Sequence, residues 1–303
     1  MATGSRVGAE PEREVLLVVN RRARSGDSAA ETAFETLDLG VGEPRILDIE
    51  DPATLSARIQ AALTPATAAI VIAGGDGTVN SALPALIEAA IPLGIIPLGT
   101  GNDLARTLGI PTTAAEAAEV VARGRKRRID VGSVNGRYFV NAAGIGFSTE
   151  LQELPPRLKG WLGPLAYPLG VLRRWRDHRA FRVKVRGGGI DCARRVIQVT
   201  VANGRSYGGG MTVHEEARVD DGTLDVLLIL PRPLWRLILS ALSFKRGVYS
   251  KRGPVIALRG AEFEIRTRRP NPVATDGEVS TSTPAEFRVI PGALEVYVPD
   301  DAA

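Results

Sequence analysis

The sequence predicts an open α/β domain followed by a β-rich, sandwich-like domain. From Glu14 to about Arg128, short continuously apolar runs alternate with alanine-rich amphipathic stretches, the pattern of a parallel sheet covered on both faces by helices. After "RKRRIDVGSV" the chain changes to strand-like segments joined by glycine-rich turns, the pattern of a β-rich domain. At 303 residues it exceeds one typical domain, so two are expected. Residues 1–13 read as a disordered tail, 14–128 as the α/β domain and 129–289 as the β-rich domain, with 290–303 read as returning to the first.

In the first half, "VLLVV" is followed by "SAAETAFETL", "RILDI" by "PATLSARIQAAL", "AAIVI" by "TVNSALPALIEAA" and "LGIIPL" by "NDLARTLG". Each pair is a buried strand and the helix that returns over it. In the second half the strands are "YFVNAAGIG", "FRVKVR", "RVIQVTVANG", "LDVLLIL", "VIALRG", "AEFEIRT" and "ALEVYV". Two helical insertions, near Trp161 to Trp175 and Leu234 to Phe244, interrupt that series.

Hydrophobic residues make up 44% and charged residues 24%, an ordinary globular balance. Cys192 is the one cysteine, which excludes an internal disulfide and fits a reducing, cytoplasmic setting. With only His178 and His214 besides, a zinc site is not expected, and neither histidine has the neighbours of a catalytic triad. The N-terminal segment lacks a signal-peptide core and no window reaches the ~20 apolar residues of a membrane span, so the chain is read as neither secreted nor membrane-spanning. A formal net charge of +4 points to an anionic partner without choosing among nucleotide, nucleic acid and acidic lipid headgroups.

"AGGDGTVN", Ala73 to Asn80, lies at the carboxyl end of a predicted buried strand and opens a helix. Ligands collect at such places in open α/β sheets, because helix N-termini offer N–H groups and a favourable dipole to phosphate oxygens. Gly74, Gly75 and Gly77 let the backbone approach a polyphosphate without a Cβ in the way. Asp76 carries phosphate's own sign of charge, so its role there is to hold magnesium, directly or through water, or to orient a hydroxyl. The alternative for a single such loop is a tight βα turn with an Asp cap. A second loop, "PLGTGNDLART" from Pro97 to Thr107, follows the next strand in the same way, and two neighbouring loops of this kind form a cleft. Neither is a Walker A sequence.

The pair "GGDGTVN" and "PLGTGNDLART" resembles the diacylglycerol kinase catalytic superfamily, which also holds sphingosine and ceramide kinases and small bacterial lipid kinases. "VVNRRARSG" resembles that family's first nucleotide loop, with Arg21 where many members have proline, and "YGGGMTVHEEARVDDGTLDV" and "TDGEV" resemble its later motifs in the expected order. The resemblance covers almost the whole chain. It implies an NAD kinase/diacylglycerol kinase-like first domain, a β-sandwich-like second domain and an ATP cleft between them.

By that resemblance Asn20, Ser25 and Gly26 belong to the first nucleotide loop, and Gly74, Gly75, Asp76, Gly77, Thr78 and Asn80 to the phosphate cradle. Thr100 completes the cleft, with Asn102 and Asp103 from the signature. The family's contact after its second strand has no match around Asp48 to Asp51. Glu278 of "DGE" is implied as the acceptor of the lipid hydroxyl's proton, with Asp276 and Asp76 ordering magnesium and the attacking oxygen. Read alone, "DGE" is a hairpin turn. "ARVDDGTLDV" resembles a structural magnesium segment, implying Asp221 as side-chain ligand beside the carbonyls of Arg218 and Thr223; read alone, it too is a hairpin.

Two acid-free stretches, Leu154 through Arg176 and Pro231 to Gly260, combine basic residues with apolar and aromatic ones. In the second, Leu234, Leu237, Ile238, Ala241 and Leu242 share a helical face with Trp235 beside it, which suits either an interfacial helix on anionic membrane or a core-facing helix with a basic edge.

The leading expectation is therefore an ATP- and magnesium-dependent kinase acting on a lipid hydroxyl, such as that of diacylglycerol. It is expected to be cytoplasmic and peripheral to the membrane, with no nucleic-acid partner, and a homodimer is left open. The rivals are an NAD kinase-like phosphotransferase acting on a soluble nucleotide, and a non-catalytic lipid- or nucleotide-binding regulator.

Overall fold

The computed structural model describes residues 13–20, 31–33, 35–36, 41–49, 51–147, 149, 180–204, 206–207, 211–212, 218–231, 233 and 255–300. These fall into two compact units, divided at Arg127/Arg128 and again at Ala293/Leu294.

The first unit is built on parallel strands β1 (Glu14–Val19), β2 (Glu43–Asp48), β3 (Thr67–Gly74) and β4 (Leu93–Pro97), in the order β2-β1-β3-β4. The end of β18 (Ala285–Tyr297) adds beside β4, with Val296 opposite Leu93. The apolar runs of β1 and β3 are buried nearly throughout, Val15 to Val19 and Ala69 to Ala73 all being at most 1% exposed. Only a sheet covered on both faces buries both sides of a strand in this way.

Helices α1 (Leu55–Ala62), α2 (Asp76–Ala89), α3 (Asp103–Thr107) and α4 (Ala114–Arg123) follow strands in the expected alternation. α2 buries Val79, Ala82, Leu83 and Leu86, an i, i+3, i+4, i+7 stripe in which each large aliphatic is worth roughly 1.5–3 kcal/mol of burial. Thr113 accepts from the Glu116 N–H at 3.4 Å and Glu116 receives the Thr113 hydroxyl at 2.5 Å, so the pair fixes the start of α4. α4 seats on β4 through Gly94, where a Cβ would lie 2.7 Å from a methyl of Val121.

The second unit is antiparallel. One sheet runs β14 (Val255–Gly260), β13 (Leu224–Ile229), β10 (Gln198–Ala202), β7 (Ala142–Gly146), β16 (Pro272–Thr275), β17 (Glu278–Ser282). Facing it are β18, β15 (Glu262–Thr267), β8 (Phe181–Gly187) and β9 (Ile190–Val196), with β5 (Lys126–Val134) pairing β18 and the short β6 (Arg137–Phe139). β11 (Ser206–Tyr207) and β12 (Met211–Thr212) form a separate pair.

Val183, Val185, Ile265 and Phe287 from one sheet and Ile145, Val199, Val201 and Val226 from the other share a single buried cluster, which makes the unit a sandwich. Phe139 and Phe287 meet edge to face at 6.4 Å, and Phe139 lies across Gly132, where a Cβ would come within 2.2 Å of the ring. The two helical insertions expected in this half, and both histidines, lie outside the described residues. No helix among the described residues is long and apolar enough to cross a membrane.

Candidate active site

Adjacent parallel strands β3 and β4 end side by side, with Leu98 N–H donating to the Gly74 carbonyl at 2.9 Å. The two loops that follow touch backbone to backbone. A Cβ on Gly99 would sit 2.7 Å from the Gly75 Cα and 2.7 Å from Asn102 Oδ1, so no larger residue fits there. Asn102, at φ 49°, ties its own loop by accepting from Gly99 N–H at 3.0 Å and donating to the Gly99 carbonyl at 2.8 Å.

Asp76 stands in the first turn of α2 and reaches across to the next helix. Its carboxylate accepts from the Asp103 N–H at 3.1 Å and the Leu104 N–H at 3.3 Å. The charge thus caps α3, while the start of α2 has no side-chain cap. Thr78 is buried beneath the loop, and its hydroxyl receives Asn20 Nδ2 at 3.4 Å, bringing the end of β1 to the same place. Gly77 and Thr100 are exposed, Asn80 is half-buried and Asp103 is buried. Beside the second loop is a cavity of about 770 Å³ whose wall includes Leu98, Thr100, Asn102, Arg106 and Ile110, within the size range of small-ligand pockets. Ser25 and Gly26 lie outside the described residues.

In the second unit Asp276 and Gly277 form the two-residue turn between β16 and β17, both at positive φ (44° and 96°). The Asp276 side chain turns inward. Its carboxylate accepts from the N–H groups of Val140 at 2.8 Å, Asn141 at 2.9 Å and Ala142 at 3.0 Å, and its own N–H donates to the Ala142 carbonyl at 2.9 Å. This carboxylate clamps the hairpin onto the 140–142 segment. Glu278 follows at the start of edge strand β17, opposite Thr275 in the ladder, and is exposed. Val279 beside it is 52% exposed.

The 218–223 loop is held by two further charges. Asp221 accepts from Thr223 N–H at 3.0 Å, from the Thr223 hydroxyl at 2.6 Å and from Arg218 N–H at 3.3 Å, and it pairs with the guanidinium of Arg259. Buried Asp130 accepts from Gly222 N–H at 2.7 Å and Gly292 N–H at 2.8 Å. With both Asp221 oxygens engaged and a guanidinium already on one, the residues present do not fit the divalent cation expected at Arg218, Asp221 and Thr223. Among the described residues no group of three or more His, Cys, Asp or Glu side chains gathers as a metal cluster.

Asp130, Asn203 and Arg259 are organising residues that motif reading passes over. Asn203, 1% exposed, donates to the carbonyls of Asp130 at 2.7 Å and Val140 at 3.1 Å, so it joins the two clamped segments. The available signal was a single acid inside the apolar strand "RIDVGSV", since an unpaired carboxylate there would be costly.

Residues 14–134 match the family described as "Diacylglycerol kinase catalytic domain", and residues 141–298 match "YegS C-terminal NAD kinase beta sandwich-like domain". The chain is 32% identical over 238 residues to a diacylglycerol kinase of Bacillus subtilis, covering 77% of this chain and 78% of that protein. It is 34% identical over 238 residues to a "Probable lipid kinase YegS-like" protein of Yersinia enterocolitica, covering 76% and 78%. A crystal structure of a diacylglycerol kinase from Bacillus anthracis superposes with a TM-score of 0.75 at 25% identity, covering 97% of this chain and 100% of that one. The α/β unit with its paired glycine loops and the sandwich with its Asp-Gly-Glu hairpin therefore place this chain in the diacylglycerol kinase-like family of lipid kinases.

Proposed function

We propose that the protein transfers the γ-phosphate of ATP to a hydroxyl of a lipid such as diacylglycerol. The observation that carries this reading is the contact of Gly75 with Gly99 at the ends of adjacent parallel strands. It is an all-backbone surface at two helix starts, suited to phosphate oxygens. Gly74 to Asn80 hold the phosphates, Asn20 and Thr100 flank them, and Asn102 and Asp103 keep the second loop in shape.

Magnesium bound with the nucleotide would supply charge neutralisation to the transferring phosphate. Asp76 fits a water-bridged role toward it, because its carboxylate accepts two N–H groups and so keeps acceptor capacity. Glu278 accepts the lipid hydroxyl's proton as that oxygen bonds to the γ-phosphorus and the bond to the β-bridging oxygen breaks, releasing ADP. Asp276 acts through Glu278 by fixing the hairpin. The exposed Val279 beside Glu278, and the acid-free basic and apolar stretches at 154–176 and 231–260, support a lipid acceptor met at a membrane surface.

Labelled ATP tested against a panel of hydroxylated lipids in anionic micelles, with NAD as a soluble comparison, checks the reading. Phosphorylated lipid is expected, and Glu278→Gln is expected to lose about 10²–10⁴-fold in turnover while binding ATP normally. Phosphorylation of NAD alone, or unchanged turnover in Glu278→Gln, would overturn it.

A further inference from the structure

We propose that Arg259 replaces a divalent cation in holding the 218–223 loop, so that this loop folds without magnesium. Arg259 stands opposite Asp225 in the β13–β14 ladder, which delivers its side chain to the mouth of the loop. Nε donates to Thr223 Oγ1 at 2.9 Å and lies 3.8 Å from Asp225 Oδ1, while Nη2 pairs with Asp221. One planar fork therefore draws together the acid, the hydroxyl and the strand that follows, as a bound cation would, and it stays charged at any working pH.

The carboxylates around it are Asp221, the mostly buried Asp225 and Asp220, the last of which pairs with Arg218 at 3.0 Å. Asp130 meets the loop through Gly222 N–H and is occupied by backbone donors. A magnesium ion brought to Asp221 would have to displace the guanidinium or sit against its positive charge.

The test is independent of phosphate transfer and uses the nucleotide-free full chain, so that magnesium carried by ATP plays no part. Thermal unfolding is compared after chelator dialysis and after magnesium is restored, for wild type, Arg259→Gln and Arg259→Lys. Wild type is expected to unfold at the same Tm in both conditions and to retain no stoichiometric magnesium by elemental analysis. Arg259→Gln is expected to unfold about 2–4 °C lower and to regain part of that with magnesium, with Arg259→Lys falling between the two. A wild-type Tm that drops on chelation and recovers with magnesium would overturn the proposal, as would one magnesium per chain surviving dialysis or an Arg259→Gln Tm equal to wild type. Should the variants fail to fold, the chelation and metal-content measurements on wild type decide alone.

Discussion

The Asp76 carboxylate accepts the backbone N–H of Asp103 at 3.1 Å, joining the loop after β3 to the helix after β4. A single charge therefore holds the two glycine loops in register. Asp76→Ala is expected to cost about 1 kcal/mol, the usual worth of a lost cap, and to abolish transfer. Asp76→Asn keeps an acceptor, so it is expected to retain most of the stability and still lose activity. Denaturant unfolding beside a transfer assay separates the two effects.

Gly99→Ala forces a methyl against the Gly75 Cα and Asn102 Oδ1. Overpacking of this kind costs about 1–3 kcal/mol. Calorimetry with ATP is expected to show weakened binding, because relief comes only by moving the loops apart.

Asp276→Ala leaves the N–H groups of Val140, Asn141 and Ala142 without their acceptor. With bonds to charged groups worth about 1.5–3 kcal/mol each and the site only part-buried, a loss of about 2–4 kcal/mol is expected in urea unfolding. Turnover is expected to fall along with it, since Glu278 rides on the same turn. Asp276→Asn, which keeps one strong acceptor, is expected to lie between.

Gly132→Ala places a methyl in the Phe139 ring and is expected to destabilise the sandwich by about 1–3 kcal/mol. Adding Phe139→Leu to it is expected to recover part of that loss. Fully additive losses in the double variant would show that the ring is not the cause.

Burial, with the nearby Glu295 carboxylate, raises the Tyr297 phenol above its ordinary value of 10.0, and Arg13 opposes the shift. The folded chain holds this proton at a pH where the unfolded chain has released it. Stability linked to Tyr297 is therefore complete below pH 10.0 and falls as pH rises through the raised value. Tyr297→Phe is expected to flatten the decline in Tm between about pH 9 and pH 11.

The fold class was legible because burial on both faces demands unbroken apolar runs, as in "VLLVV" and "AAIVI", and because glycine turns punctuate the sandwich strands. The two glycine loops were legible as tight, closely approached backbone at neighbouring strand ends, because several glycines between a strand and a helix have few other uses. Asp76, Asp276 and Asp221 were legible as notable acids, but their partners were not. Asp76 finds its donors 27 and 28 residues away, Asp276 134 to 136 away and Asp221 an arginine 38 away.

What the sequence determined alone was local: which runs are strands, where the helices start, and which turns need glycine or an acid followed by glycine. Tertiary structure decided where each acid spends its charge. Asp76 caps a neighbouring helix, Asp276 gathers backbone N–H groups, and Asp221 meets Arg259. The reason is that a carboxylate's interactions fall off over a few ångströms in space, and only the folded sheet order sets which distant backbone lies within that reach.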